Sequence, residues 1–146
     1  RFDPRRAGES RGRLTIIVAD ASALLEYLLS TDQVGPIEGV VRDPETDLHV
    51  PSLCDVEVTA GLRRALLRRA LSQPRAALAV QDYLDLPLTR HGHQSLLGRI
   101  LELGMNFSVY DATYVALAEQ LGATLLTADQ RLTRAARSHT RISILS

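Results

Sequence analysis

Four carboxylates carry the chemistry this sequence offers. Asp20 closes the apolar run 16–19, and Glu57 lies within Leu53-Cys54-Asp55-Val56-Glu57-Val58. Asp111 opens the apolar stretch 112–118, and Asp129 follows Leu125-Leu126-Thr127-Ala128. Each alone has an ordinary explanation: a carboxylate beside a helix N-terminus accepts from free N–H groups and meets a favourable dipole, typically ~0.3–1 kcal/mol. Together they do not, because charges gathered at one edge repel and raise one another's pKa unless a cation compensates. A hard divalent ion with oxygen ligands, Mg2+ or Mn2+, is the natural compensation. Such a site binds phosphate oxygens and promotes phosphodiester hydrolysis.

The elements that must position these acids follow a strand–helix rhythm. The first buried element is expected at about 14–19, and its continuous apolar run 16–19 is the mark of a strand buried on both faces in a parallel sheet. A helix follows over about 21–30, with Asp20 either as its cap or as a ligand. A weaker helical stretch covers 37–42 and ends before Pro44. Residues 48–50 read as a second strand, and 52–71 as the longest helix, with Ser52 a candidate cap. Pro74 opens a helix over 75–83. Residues 85–89 are a short strand that Pro87 assigns to a sheet edge. Helices are expected at 92–103, ended by Gly104, and at 109–121, ended by Gly122. A strand at 124–127, a helix at 128–137 and a strand at 142–145 complete the chain. The rhythm predicts an α/β fold, a three-layer α/β/α sandwich around a short parallel sheet. Two acids then follow strand ends and two occupy helix N-terminal turns, places that share one edge of a parallel sheet, where functional crevices lie.

Composition narrows the classes. The 146 residues suit one domain over 14–146, preceded by an Arg-rich polar leader or expression remnant at 1–13. No apolar run approaches the ~20 residues of a membrane span. The single cysteine, Cys54, makes no internal disulfide, reads as a small core residue and suits a cytoplasmic location. Net charge is zero, so the overall field does not announce a nucleic-acid binder. All 17 cations are Arg. Without lysine, a Walker phosphate loop is excluded. A phosphatase with paired aspartates after its first strand, or a phosphoacceptor receiver domain, is disfavoured too: both want a lysine, and the first wants a second Asp where Ser22 stands.

The order and context of the four acids resemble the PIN-domain family, and within it VapC-type toxin ribonucleases. The residues that carry the resemblance are Ile17-Val18-Ala19-Asp20-Ala21-Ser22-Ala23-Leu24, Val50-Pro51 through Glu57 to Arg64, Tyr110-Asp111-Ala112-Thr113-Tyr114 through Ala118, and Leu125 through Leu132. The resemblance implies Asp20, Glu57, Asp111 and Asp129 as the metal-binding and catalytic set, with the hydroxyls of Ser22 and Thr127 as lesser members. It further implies a Mg2+-dependent endoribonuclease leaving 5′-phosphate and 3′-hydroxyl ends, a homodimer, and inhibition by a cognate VapB-like antitoxin. Ser52 departs from the pattern, standing where such toxins often carry an acid.

On the substrate side, Arg64 and Arg68 lie seven and eleven residues past Glu57, near its helical face. They read either as an RNA phosphate clamp or as solvated surface and partner contacts. Arg131, Arg134 and Arg137 invite the same two readings. His91-Gly92-His93 is read as a surface turn rather than a metal pair, and Tyr114 as core packing that could face the cleft. A rival of another class is a PIN-fold binding or scaffold protein whose acids are idle.

Overall fold

The computed structural model describes residues 14–30 and 35–146, so the expected leader lies outside the described residues. Five strands form one parallel sheet: β1 (Thr15–Ala19), β2 (Thr46–Pro51), β3 (Leu88–His91), β4 (Thr124–Leu126) and β5 (Ile144–Leu145). Their order is β3-β2-β1-β4-β5. The helices are α1 (Ala21–Leu29), α2 (Pro36–Arg42), α3 (Leu53–Leu67), α4 (Gln73–Asp85), α5 (Leu97–Leu103), α6 (Val109–Leu121) and α7 (Gln130–His139). No described helix is long and apolar enough to cross a membrane.

The strand order explains the sandwich. The chain moves one way across the sheet from β1 to β3, then back past β1 to β4 and β5. Parallel crossovers are right-handed. The first direction therefore lays α1–α4 on one face, and the reverse direction lays α5–α7 on the other. The reversal falls between β1 and β4, which pair from Ile17 opposite Thr124 to Ala19 opposite Leu126. Ligand crevices open at such a switch point, outside the carboxyl ends of the strands. Asp20 follows β1 there and Asp129 follows β4 shortly after.

The core accounts for most of the apolar runs, but not for residues 14–16, which are exposed at the start of β1 although the sequence predicted a buried element from Leu14. Ile17, Val18 and Ala19 are buried in the central strand, with Leu48 and Val50 on one side and Leu125 and Leu126 on the other. In α6 every residue from Ala112 to Ala118 is buried, because the helix lies over β1, β2 and β4 and beneath α5. An amphipathic stripe is therefore absent from α6, as expected for a helix enclosed on all sides. Across the other face α1 packs on α3 so closely that a Cβ on Gly61 would stand 2.2 Å from Leu25 Cδ1.

Several boundaries move from the sequence expectation. Helix α3 stops at Leu67 rather than 71, where Arg69 takes a left-handed φ of 58° and Ser72 caps the next helix. Helix α4 continues to Asp85, so β3 starts after Pro87 and ends at His91; its place at the sheet edge is as expected. The helix expected at 92–103 divides into a 3-10 turn, Gln94–Leu96, and α5. Ser52 does not cap α3. Its hydroxyl donates to the His91 carbonyl at 3.2 Å, while the Leu53 N–H donates to His93 Nε2 at 3.2 Å. The two histidines are therefore structural rather than a free turn: His91 belongs to β3, and its Nε2 lies 2.8 Å from His49 Nδ1 with the rings stacked. Edge strand, neighbouring strand and the start of the Glu57 helix are thereby tied together. Cys54 is fully buried, and burial pushes its thiol up to about 11, as befits an inert core residue.

Candidate active site

Asp20 is the most constrained of the four acids. It is 5% exposed, and its backbone N–H donates to the Leu126 carbonyl at 3.0 Å, locking the end of β1 to β4. Its Oδ1 accepts from the Ala23 N–H at 2.9 Å and from the Ser22 hydroxyl at 2.6 Å. Its Oδ2 accepts from the Thr127 hydroxyl at 2.5 Å. The helix-cap reading is thus correct in geometry, but a cap needs only one of these bonds. Both hydroxyls are spent on Asp20, and each in turn accepts a backbone N–H from the loop after β4. Ala128 N donates to Ser22 Oγ and Asp129 N to Thr127 Oγ1, both at 3.0 Å. The network fixes Asp20 and sets the start of the loop that carries Asp129.

The other acids arrive on separate elements. Asp129 caps α7, its Oδ1 accepting from the Arg131 and Leu132 N–H groups. Asp111 sits in the first turn of α6, where Ser108 caps the helix by accepting the Asp111 N–H at 3.1 Å. Glu57 lies one turn into α3. All four line one crevice of about 320 Å3 at the carboxyl edge of the sheet, together with Ser22, Tyr114, Arg64 and Arg131. Leu25 and Ala60 complete its apolar wall. Arg68, Arg134 and Arg137 are exposed and stand outside it. A larger cavity of about 540 Å3 lies at the opposite edge, around Thr124 and Ser143, and holds none of the acids. Its Arg99 is committed to Glu119 and Glu102.

The electrostatics fit one shared site. Burial pushes the Asp20 carboxyl above the ordinary carboxylate range; the bonds from Ser22, Thr127 and Ala23 oppose that, and repulsion from Asp111 adds to it. Burial likewise raises Glu57, with Asp111 adding repulsion and Arg64 relieving it. Asp111 is itself raised, first by burial and then by the charge of Asp129, with Arg131 relieving it. Asp111 is therefore the hub, coupled to each of the other three. Glu57 Oε1 and the Tyr114 hydroxyl are buried without a hydrogen-bond partner, although Tyr114 is near enough to ease the ionisation of Glu57. Burial and the neighbouring Cys54 and Glu57 hold the Tyr114 phenol far above its ordinary value.

Among the described residues, no three His, Cys, Asp or Glu side chains stand close enough as placed to hold a metal ion. The donor set nevertheless suits a hard cation: carboxylate oxygens in mutual repulsion, one of them buried and unpartnered. Sequence reasoning brought Asp20, Glu57, Asp111, Asp129, Ser22 and Arg64 to this crevice. It put Arg68 on the same helical face and left its role open; the structure leaves Arg68 outside the crevice, because seven and eleven residues along a helix share a face but not a height. It left Arg131 undecided, although two residues past Asp129 is a signal that could have singled it out.

Comparison with known proteins identifies the family. Residues 17–138 match the family model described as PIN domain. The chain is 40% identical over 130 residues to VapC ribonuclease Mb0985 of Mycobacterium bovis, covering 89% of this chain and 98% of that protein. Among solved structures it resembles PAE2754 from Pyrobaculum aerophilum, with a TM-score of 0.65 at 22% identity, covering 89% of this chain and 83% of that one. It also resembles VapBC2 from Rickettsia felis, solved bound to a DNA fragment from its promoter, with a TM-score of 0.62 at 12% identity, covering 90% and 100%. With a parallel sheet whose switch point gathers four carboxylates and a family match over most of its length, the chain belongs to the PIN-domain family, among its VapC-type members.

Proposed function

We propose that this protein is the endoribonuclease toxin of a VapBC-type toxin–antitoxin pair, hydrolysing RNA phosphodiester bonds in the crevice of Asp20, Glu57, Asp111 and Asp129. The observation that carries the reading is the convergence of those acids, each from a different part of the chain, on one partly buried crevice at the sheet's switch point. Evolutionary kinship with proteins named VapC ribonucleases supports it further.

Asp20 and Asp111 would be the chief ligands of Mg2+ or Mn2+, with Glu57 and Asp129 completing the shell. When bound, the ion neutralises the phosphate and acidifies water. The residues themselves do the positioning. Ser22 and Thr127 hold both oxygens of Asp20 in place. Asp111 repels Asp20 and Glu57 and is itself repelled by Asp129, so its charge adds to the effect of burial in raising its neighbours. Glu57 offers a buried oxygen, Oε1, with only the Tyr114 hydroxyl close by.

The same reading includes a VapB-like antitoxin, a cytoplasmic setting and a homodimer. For the last, apolar residues are exposed along this part of the chain: Leu97 and Leu101 on α5, Met105 in the turn after it and Val109 at the start of α6. Asp20→Asn and Asp111→Asn test the nuclease reading: each is expected to lose Mg2+-stimulated cleavage of a defined RNA while melting cooperatively. Full activity in either variant refutes the site. Calorimetric Mn2+ binding by the parent with no cleavage of any RNA favours the scaffold reading instead.

A further inference from the structure

The crevice has an electrostatic difficulty. Four carboxylates line it, and an RNA backbone is a polyanion, so the acids repel the substrate they are to act on. Cations at the same crevice must offset this. Among the described residues lining it there are two, Arg64 from α3 and Arg131 from α7. They serve different acids: Arg64 eases the ionisation of Glu57, Arg131 that of Asp111. Neither is consumed by that role. The Arg131 side chain is 86% exposed, and its nearest carboxylate oxygen, Asp129 Oδ2, is 3.7 Å from Nη2, too long for a hydrogen bond. Arg64 is exposed and, among the described residues, forms no hydrogen bond or ion pair of the kind that holds Arg90 to Asp55 or Arg99 to Glu119.

Resting on the nuclease reading above, we propose that Arg131 is a substrate-positioning residue that acts with Arg64 as a two-armed clamp on the phosphates of single-stranded RNA. Arg64 receives the backbone beside Glu57, and Arg131 receives it beside Asp111 and Asp129. Each guanidinium fork takes a phosphate through parallel N–H donors, a geometry that a point charge does not reproduce. The anchoring of Arg131 favours this use. Its backbone N–H is held by Asp129 Oδ1 at 2.9 Å in the first turn of α7, which fixes where the side chain starts, while the guanidinium is mostly exposed and only loosely paired with Asp129. Arg134 and Arg137, further along the same helix, are outside the crevice and take no part.

The test is binding, separated from catalysis. A fluorescein-labelled single-stranded RNA oligonucleotide is titrated with metal-free protein in EDTA over a range of salt concentrations. For single strands each phosphate neutralised contributes about 0.7 to the slope of log K against log salt. Arg131→Ala and Arg64→Ala are each expected to reduce the slope by about 0.7, and the double variant by about 1.4. Arg131→Lys should restore the slope but not the full affinity, whereas Arg134→Ala and Arg137→Ala should match the parent. A parent slope retained in Arg131→Ala overturns the proposal, as does an equal loss in Arg134→Ala or no binding by the parent at low salt. The nuclease reading is scored apart from this, by Mg2+-stimulated cleavage by the parent. A clamp that fails with cleavage intact sinks only the clamp, and a clamp that holds without cleavage sinks only the nuclease.

Discussion

Replacing Thr127 with valine would remove one hydroxyl and almost no volume, and the structure says what that hydroxyl does. Thr127 is fully buried; it donates to Asp20 Oδ2 at 2.5 Å and accepts the Asp129 N–H at 3.0 Å. A hydrogen bond to a charged group contributes about 1.5–3 kcal/mol, and a backbone N–H left without a partner costs about 1–3 kcal/mol. Relaxation and the added apolar contact of valine offset part of that, leaving a net loss of about 2–4 kcal/mol. At about 4 °C per kcal/mol for a domain of this size, Tm falls by about 8–16 °C. The sign with pH follows from Asp20. Its folded-state pKa is raised, so its contribution to stability is fully present below the unfolded carboxylate value of ~3.9 and is lost as pH rises through the folded value. Removing a bond that favours the ionised form raises the folded value further. Thr127→Val should therefore differ from the parent more at pH 8, where Asp20 is charged, than at pH 4. The assay is thermal melting by circular dichroism at both pH values in metal-free buffer. A difference under about 3 °C at pH 8, or one of equal size at both, would refute the reasoning that this hydroxyl serves the Asp20 charge.

Two further outcomes follow from the same structure. Asp111→Asn removes the hub of the repulsion and should stabilise the metal-free protein at neutral pH by about 0.5–1 kcal/mol after solvent screening, or about 2–4 °C. Because Asp20 and Glu57 also have raised pKa values, this gain should appear as pH rises above the ordinary carboxylate range and vanish near pH 4; a lower Tm than the parent at pH 8 would contradict it. Gly61→Ala places a methyl 2.2 Å from Leu25 Cδ1 between α1 and α3, where overpacking of about 1–3 kcal/mol outweighs the ~1 kcal/mol of helix propensity gained. Melting should show a net loss of about 1 kcal/mol, and a rise in Tm would mean that the Leu25 side chain turns aside at less cost than the helix propensity gained.

Where the sequence reading succeeded and failed follows the range of the interactions involved. The run Ile17–Ala19 could be placed in a central strand because burial on both faces demands continuous apolarity, a property of neighbours in the chain, whereas Ile16 before it is exposed. Gly122, with its left-handed φ of 61°, ended α6 as a local conformational requirement. Ser52 failed as a cap because its hydroxyl had a distant alternative, the His91 carbonyl of β3, and because His93 satisfied the Leu53 N–H instead. His49, His91 and His93 lie far apart or at uninformative spacing in the chain, so their association could not be read from it. Arg68 shows the limit of helical periodicity, which gives direction around the axis but not whether the crevice extends that far.

By itself, then, the sequence determined which residues could do chemistry and which elements carry them: two acids just past apolar strands and two in the early turns of helices. Those are local consequences of side-chain type and order. The tertiary structure alone decided that the acids share a single crevice, because only the reversal of strand order between β1 and β4 brings Asp20 beside Asp129 and lays α6 and α3 across the same opening. It also decided that Asp111 couples to the other three, that Ser22 and Thr127 are spent on Asp20, and that Arg131 rather than Arg68 joins Arg64. The physical reason is range. Propensity and periodicity act over a few residues of chain, whereas repulsion, desolvation and hydrogen bonding depend on distance in space, which the sheet topology sets.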